Sequence, residues 1–147
     1  MKFFIVIFAT LFFSYTAHAE KLSFICGDLN GYSYYFEDGL IKKDQAGFTE
    51  DGLTNRPFTL YVDEKNNGEV FFTGPQGELN NSSSQGADIV VSTAGDNGIN
   101  WFIFYPDRVV EVYSLNTSSM VVAYYRNNVG NRLMPKNSLF TSKCRAT

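Results

Sequence analysis

Histidine is almost missing from the chain: the only one, His18, lies close to the N-terminus. Downstream of it there is no imidazole, which excludes Ser-His-Asp and Cys-His catalysis and any histidine-containing zinc site. Cysteine is scarce too, with Cys26 and Cys144 the only two. No Ser stands three residues before a Lys, and Gly-x-Ser-x-Gly, Gly-x-Gly-x-x-Gly and phosphate-binding loops are absent. No catalytic residue, cofactor site or metal site is therefore expected. Long apolar runs are missing beyond Phe3 to Phe13, and that run is shorter than the about 20 residues a bilayer span requires.

That run has the shape of a signal peptide. Lys2 supplies a positive start, Phe3 to Phe13 an uncharged apolar centre, and Ala17-His18-Ala19 a small-x-small end. Cleavage is expected between Ala19 and Glu20, leaving residues 20–147 as one β domain with no membrane span. The expected location is secreted or periplasmic. Ile25 before Cys26 argues against a lipid anchor there. The mature part keeps all 15 acidic residues and loses only Lys2 among the 12 basic ones, a net charge of −4. An acidic domain with scattered cations is a poor ligand for nucleic acid or an anionic membrane surface.

Export to an oxidising compartment turns two cysteines into one expected disulfide, Cys26–Cys144. The bridge closes most of the mature chain, worth about 4–5 kcal/mol in the chain-entropy model. It also requires the first and last elements to be neighbours.

What the chain does have is period-2 alternation. Tyr32, Tyr34 and Phe36 share one face of a strand, and Phe58, Leu60 and Val62 share one face of another. Asn67-Gly68 between two such runs predicts a hairpin, both residues tolerating positive φ. Gly74-Pro75-Gln76-Gly77 reads as a turn, and residues 80–86 as an exposed, mobile loop. Residues 87–93, 101–105, 109–114 and 120–125 form a meander, and a last run over 138–144 returns Cys144 to the first strand. The pattern predicts an all-β antiparallel meander closed, or nearly closed, into a small barrel, with a β-sandwich as the alternative. Residues 37–56 are the least regular. They hold Glu37-Asp38-Gly39-Leu40 and Glu50-Asp51-Gly52-Leu53, read as two similar turns, with a short helix around Lys42–Ala46 as an option. The architecture is similar to small eight-stranded ligand-binding barrels such as lipocalins and avidin-like proteins. The lipocalin Gly-x-Trp is absent, Gly31 being followed by Tyr32 and Ser33, so no family is assigned.

Two kinds of residue carry candidate chemistry. Asp63 to Gly68 opens like a calcium loop but places Lys65 and Gly74 where ligands belong, and is assigned to the hairpin turn. Paired carboxylates, as in a glycan hydrolase, are available from Glu37, Asp38, Glu50, Asp51, Asp88 and Glu111. Asp88 and Glu111 lie in strand-like segments and are read as outward polar positions, the alternative being a barrel interior. Aromatics are plentiful, and adjacent pairs must face opposite ways, so one ring each of Tyr34-Tyr35 and Tyr124-Tyr125 is expected to be partly exposed. Tyr34, Tyr35, Trp101, Tyr124 and Tyr125 are the candidate ligand-binding residues, helped by the 37–56 and 79–87 loops. The sequons at Asn80, Asn81 and Asn116 bear on function only in a eukaryotic secretory pathway. The leading expectation is a non-enzymatic binding module for a small molecule, glycan or partner protein. The alternatives are an envelope or surface assembly protein and a carboxylate-dependent glycan hydrolase.

Overall fold

The alternating runs fold as antiparallel strands in a computed structural model that describes residues 21–74, 76–106 and 109–147. The expected signal peptide and its cleavage site lie outside these residues. The strands are β1 (Leu22–Cys26), β2 (Leu29–Tyr35), β3 (Gly47–Leu53), β4 (Phe58–Val62), β5 (Gly68–Thr73), β6 (Leu79–Asn81), β7 (Asp88–Ala94), β8 (Gly98–Phe104), β9 (Val110–Asn116), β10 (Val121–Asn128) and β11 (Lys136–Ala146). One 3-10 turn, Ser83–Gln85, is the only helix among the described residues.

The strands form one sheet in the order β6-β5-β4-β1-β11-β10-β9-β8-β7. The long last strand divides it. Residues 144–146 of β11 pair with β1, while residues 136–141 pair with β2, which in turn carries β3. Gly27 and Asp28 part β1 from β2, and the Gly27 N–H donates to the Lys143 carbonyl at 3.1 Å as the chain crosses over. Cys26 lies directly opposite Cys144, and the two are bridged with their Cα atoms 4.0 Å apart. The disulfide therefore pins the first strand to the last, as the cysteine count predicts.

The sheet curls into a half-barrel; the expected closure does not occur. Closure needs a ladder between the β5–β6 edge and β7. β6 is only three residues long, and the 3-10 turn carries the chain across to β7 without pairing the two edges. The ends of the sheet meet through side chains instead. Trp101 on β8, with no exposed surface, lies against β5 at Gly68 and donates its indole N–H to the Tyr61 carbonyl on β4 at 2.8 Å. Phe24, Leu60, Val62, Val70, Ile103 and Leu115 fill the concave side around it.

Two local expectations change. Residues 47–53 are a strand and not a turn, so the two Glu-Asp-Gly-Leu segments differ. The first bends at Gly39 with φ of 60°, whereas Gly52 sits in β3 paired with Asn30. Polar β3 escaped the alternation rule because it lies at a sheet edge and turns Phe48 outward. Lys42–Ala46 makes a hydrogen-bonded turn, not a regular helix. The hairpin near Asn67-Gly68 does form, but Asn66 takes the left-handed conformation, with φ of 60°. Asp63 holds the turn by accepting from the N–H groups of Lys65 and Asn67 and from the Asn67 side chain, so its carboxylate serves the loop. In the 80–86 segment, Ser82 is buried and its hydroxyl meets the Tyr105 hydroxyl at 3.1 Å.

Candidate ligand-binding cavity

The half-barrel leaves a cavity of about 300 Å³ on its concave side. Six strands build it. β4 and β5 contribute Phe58, Phe72 and Thr73; β9 and β10 contribute Glu111, Tyr113, Tyr124 and Arg126; the ends of β2 and β3 contribute Leu29 and Leu53. Leu53, Arg56 and Gln85 are exposed and form the mouth, while Phe58, Glu111, Tyr113 and Tyr124 are buried and form the floor. The volume lies at the low end of the about 300–1,000 Å³ usual for small-molecule sites.

Strand alternation puts the polar groups there. Glu111 and Tyr113 are two apart on β9, Tyr124 and Arg126 two apart on β10, and each pair shares a face. Register sets Arg126 opposite Glu111 and Tyr124 opposite Tyr113. Glu111 therefore points inward and is 6 % exposed, correcting the outward reading. Its carboxylate accepts from the Tyr124 hydroxyl at 2.9 Å, from Tyr113 at 3.1 Å and, at the limit of reach, from Tyr105 at 3.5 Å. A buried carboxylate is costly unless hydrogen-bonded and paired, and here three phenols and one cation offset that cost. The Arg126 Nε is 3.5 Å from Glu111, an ion pair with a half-exposed arginine.

The phenols feel both burial and charge. Burial, followed by the Glu111 carboxylate, pushes Tyr105 up to about 12. Tyr113 and Tyr124 are also raised well above the ordinary tyrosine value, first by burial and then by the charges around them. Burial disfavours the Arg126 cation, but the neighbouring tyrosines and Glu111 more than compensate and its pKa rises. The rings stack in a row: Phe58 to Tyr113 at 5.5 Å, Tyr113 to Tyr124 at 4.5 Å, and Tyr124 to Phe140 at 6.0 Å between centroids.

A second polar cluster continues this concave row across β11 and β2. The Ser138 and Ser33 hydroxyls lie 2.6 Å apart, and Ser33 donates to Asp51 at 2.7 Å. Lys136 donates to Asp51 at 2.7 Å and to the Tyr35 hydroxyl at 3.2 Å. Burial would raise the Asp51 pKa, but these bonds and the Gly52 N–H hold it below the usual carboxylate value.

The five candidate aromatics separate. Tyr124 lines the cavity and Tyr35 joins the Lys136 cluster. Trp101 has no exposed surface and its N–H is already bonded. Tyr34 and Tyr125 point outward and meet Tyr32, Phe36, Phe48 and Leu139 in a shallow apolar patch on the convex face. Each adjacent pair does face two ways, as alternation requires. Asp88 is exposed and absent from the cavity, so Glu111 has no carboxylate neighbour among the described lining residues. The sequence reading missed Arg56, Tyr105, Tyr113 and Arg126. The Glu111-x-Tyr113 and Tyr124-x-Arg126 spacings were the signals available for four of the cavity's polar groups. Comparison of the chain with protein-family models, with curated proteins and with solved structures gives no match.

Proposed function

We propose that the mature chain is an exported, non-enzymatic binding module that holds a small ligand in the concave cavity. One observation carries the reading: a cavity of about 300 Å³ with apolar walls at Leu29, Phe58 and Phe72, in which Glu111, Arg126 and three phenols converge. The cavity is reached past exposed Leu53, Arg56 and Gln85, which supports the reading. Export rests on the N-terminal pattern and is consistent with a structural disulfide. Among the described residues no helix is long and apolar enough to cross a membrane.

Native mass spectrometry of protein exported by its own host tests the reading. A retained small molecule, lost from a variant with Phe72→Trp filling the cavity, is the expected result. A bare chain that binds nothing in a metabolite screen overturns it.

A second reading, an assembly protein of an envelope or surface, is favoured by the convex patch, where Phe48 is 81 % and Tyr32 59 % exposed. Sedimentation over a wide concentration range, alone and with envelope extracts, tests it. A monomer in every condition rules it out.

A further inference from the structure

Resting on the binding-module reading, we infer that the ligand is a small organic monoanion, a carboxylate on a short apolar body, anchored by Arg126 and met at the mouth by Arg56. The charge of the cavity is the first support. Among its described lining residues Arg56, Arg126 and Glu111 are the charged ones, leaving one net positive charge. The mature domain as a whole is acidic, so this local excess runs against its average. Exposed Glu78 feels Arg56 but does not line the cavity.

The hydrogen-bond inventory is the second support. Glu111 receives three phenol hydroxyls, which take up most of its acceptor positions. Arg126 has five N–H donors in a planar fork, and among the described residues its single ion-pair partner, Glu111, is 3.5 Å away. Its Nε is buried without a hydrogen bond. The rest of the guanidinium belongs to a half-exposed side chain that lines the cavity, so a ligand carboxylate can reach its terminal N–H groups and form charge-assisted bonds. Among the described residues the Arg56 side chain has no hydrogen-bond partner either.

The remaining surface sets the rest of the ligand. Leu29, Leu53, Phe58, Phe72 and Val109 offer apolar wall. A glycan would need many free donors and acceptors, whereas the phenols of the floor are committed to Glu111. A cation would meet the net positive charge, and a neutral apolar ligand would cover Arg126 without pairing it.

Titration calorimetry with hexanoate, 1-hexanol and hexylammonium isolates the head group at constant chain length. Hexanoate is expected to bind about tenfold or more tighter than either, as a charged hydrogen bond implies. The preference should fall severalfold in Arg56→Gln, an exposed position whose loss leaves the fold intact, and vanish in Arg126→Gln. Equal binding of hexanoate and hexanol, or tighter binding of hexylammonium, overturns the monoanion and leaves the binding module standing. Binding of none of the three, with no mass retained from the host, overturns both.

Discussion

The indole N–H of Trp101 on β8 donates to the main-chain carbonyl of Tyr61 on β4 at 2.8 Å, across a gap that no β-ladder closes. This bond and the packing around it replace the hydrogen bonds of a closed barrel. Trp101→Phe removes the donor and leaves a void. Stability to urea should fall by about 2–4 kcal/mol. A loss below 1 kcal/mol would mean the two ends of the sheet are held elsewhere. Far-ultraviolet dichroism is the readout, since the only tryptophan is gone.

The same contact explains Gly68. It sits in β5, and a Cβ there would overlap Val91 Cγ2 and approach Trp101 Cδ1 to 2.9 Å. Gly68→Ala should cost about 1–3 kcal/mol by overpacking. The companion Gly95→Ala probes conformation alone, because Gly95 has φ of 60° with open space around it. Recovery of stability in Gly68→Ala/Val91→Ala, where room is restored, would identify the clash as the cause.

These two residues also show what could be read in advance. Alternation located Phe58–Val62, the 87–125 meander and the return of Cys144, because each strand has a buried face and local turns. It could not tell which face is inner. Both faces of β9 are apolar, with Val110 and Val112 alternating against Tyr113 and Leu115, so Glu111 could be read either way. In β2 the aromatic face turned out to be the convex one, while Ser33 is buried against Ser138 and Asp51. The Asn67-Gly68 motif gave a hairpin for a local reason, but Gly68 is needed because of Trp101, 33 positions away. The closed barrel failed on a comparable point: whether β6 is long enough to pair with β7 depends on the 3-10 turn after it.

Removing the disulfide measures how much the strand ladders hold by themselves. Cys26 is already flanked by β4 and by β11. Cys26→Ala/Cys144→Ala should therefore keep its dichroism spectrum while losing about 2–5 kcal/mol, the usual range for a native bridge. A chain that does not fold at all would show that the β1–β11 ladder depends on the covalent link.

Glu111 offers a test of which partner matters. Tyr124 donates to it at 2.9 Å within the buried floor, whereas Arg126 lies at 3.5 Å and is half exposed. Double-mutant cycles should give a coupling of about 1.5–3 kcal/mol for Glu111→Gln with Tyr124→Phe, the range for hydrogen bonds to charged groups. The cycle with Arg126→Gln should give below about 1 kcal/mol, as for a screened pair. The reverse order would make the ion pair, and not the phenol hydrogen bond, the structural element of the floor.

The same phenols should make the protein fail at alkaline pH. An unfolded tyrosine ionises near 10. In the folded chain Tyr105 is pushed up to about 12, and Tyr113 and Tyr124 are raised as well. Between those values the unfolded chain has lost protons that the folded chain retains. Fewer protons bound in the unfolded state means that stability falls as pH rises. The contribution is intact below about pH 10 and is lost on the way to about 12. The Lys136 pKa, raised by its bonds to Asp51 and Tyr35 despite burial, adds a loss of the same sign. Phenolate absorbance separates the two, because only tyrosine contributes to it. At about pH 11 the native protein should show a smaller absorbance rise than the urea-unfolded chain, and Tyr105→Phe should narrow that difference. Coincident titration curves for the native and unfolded protein would mean that the floor of the cavity is wet and that the three phenols do not share a buried carboxylate.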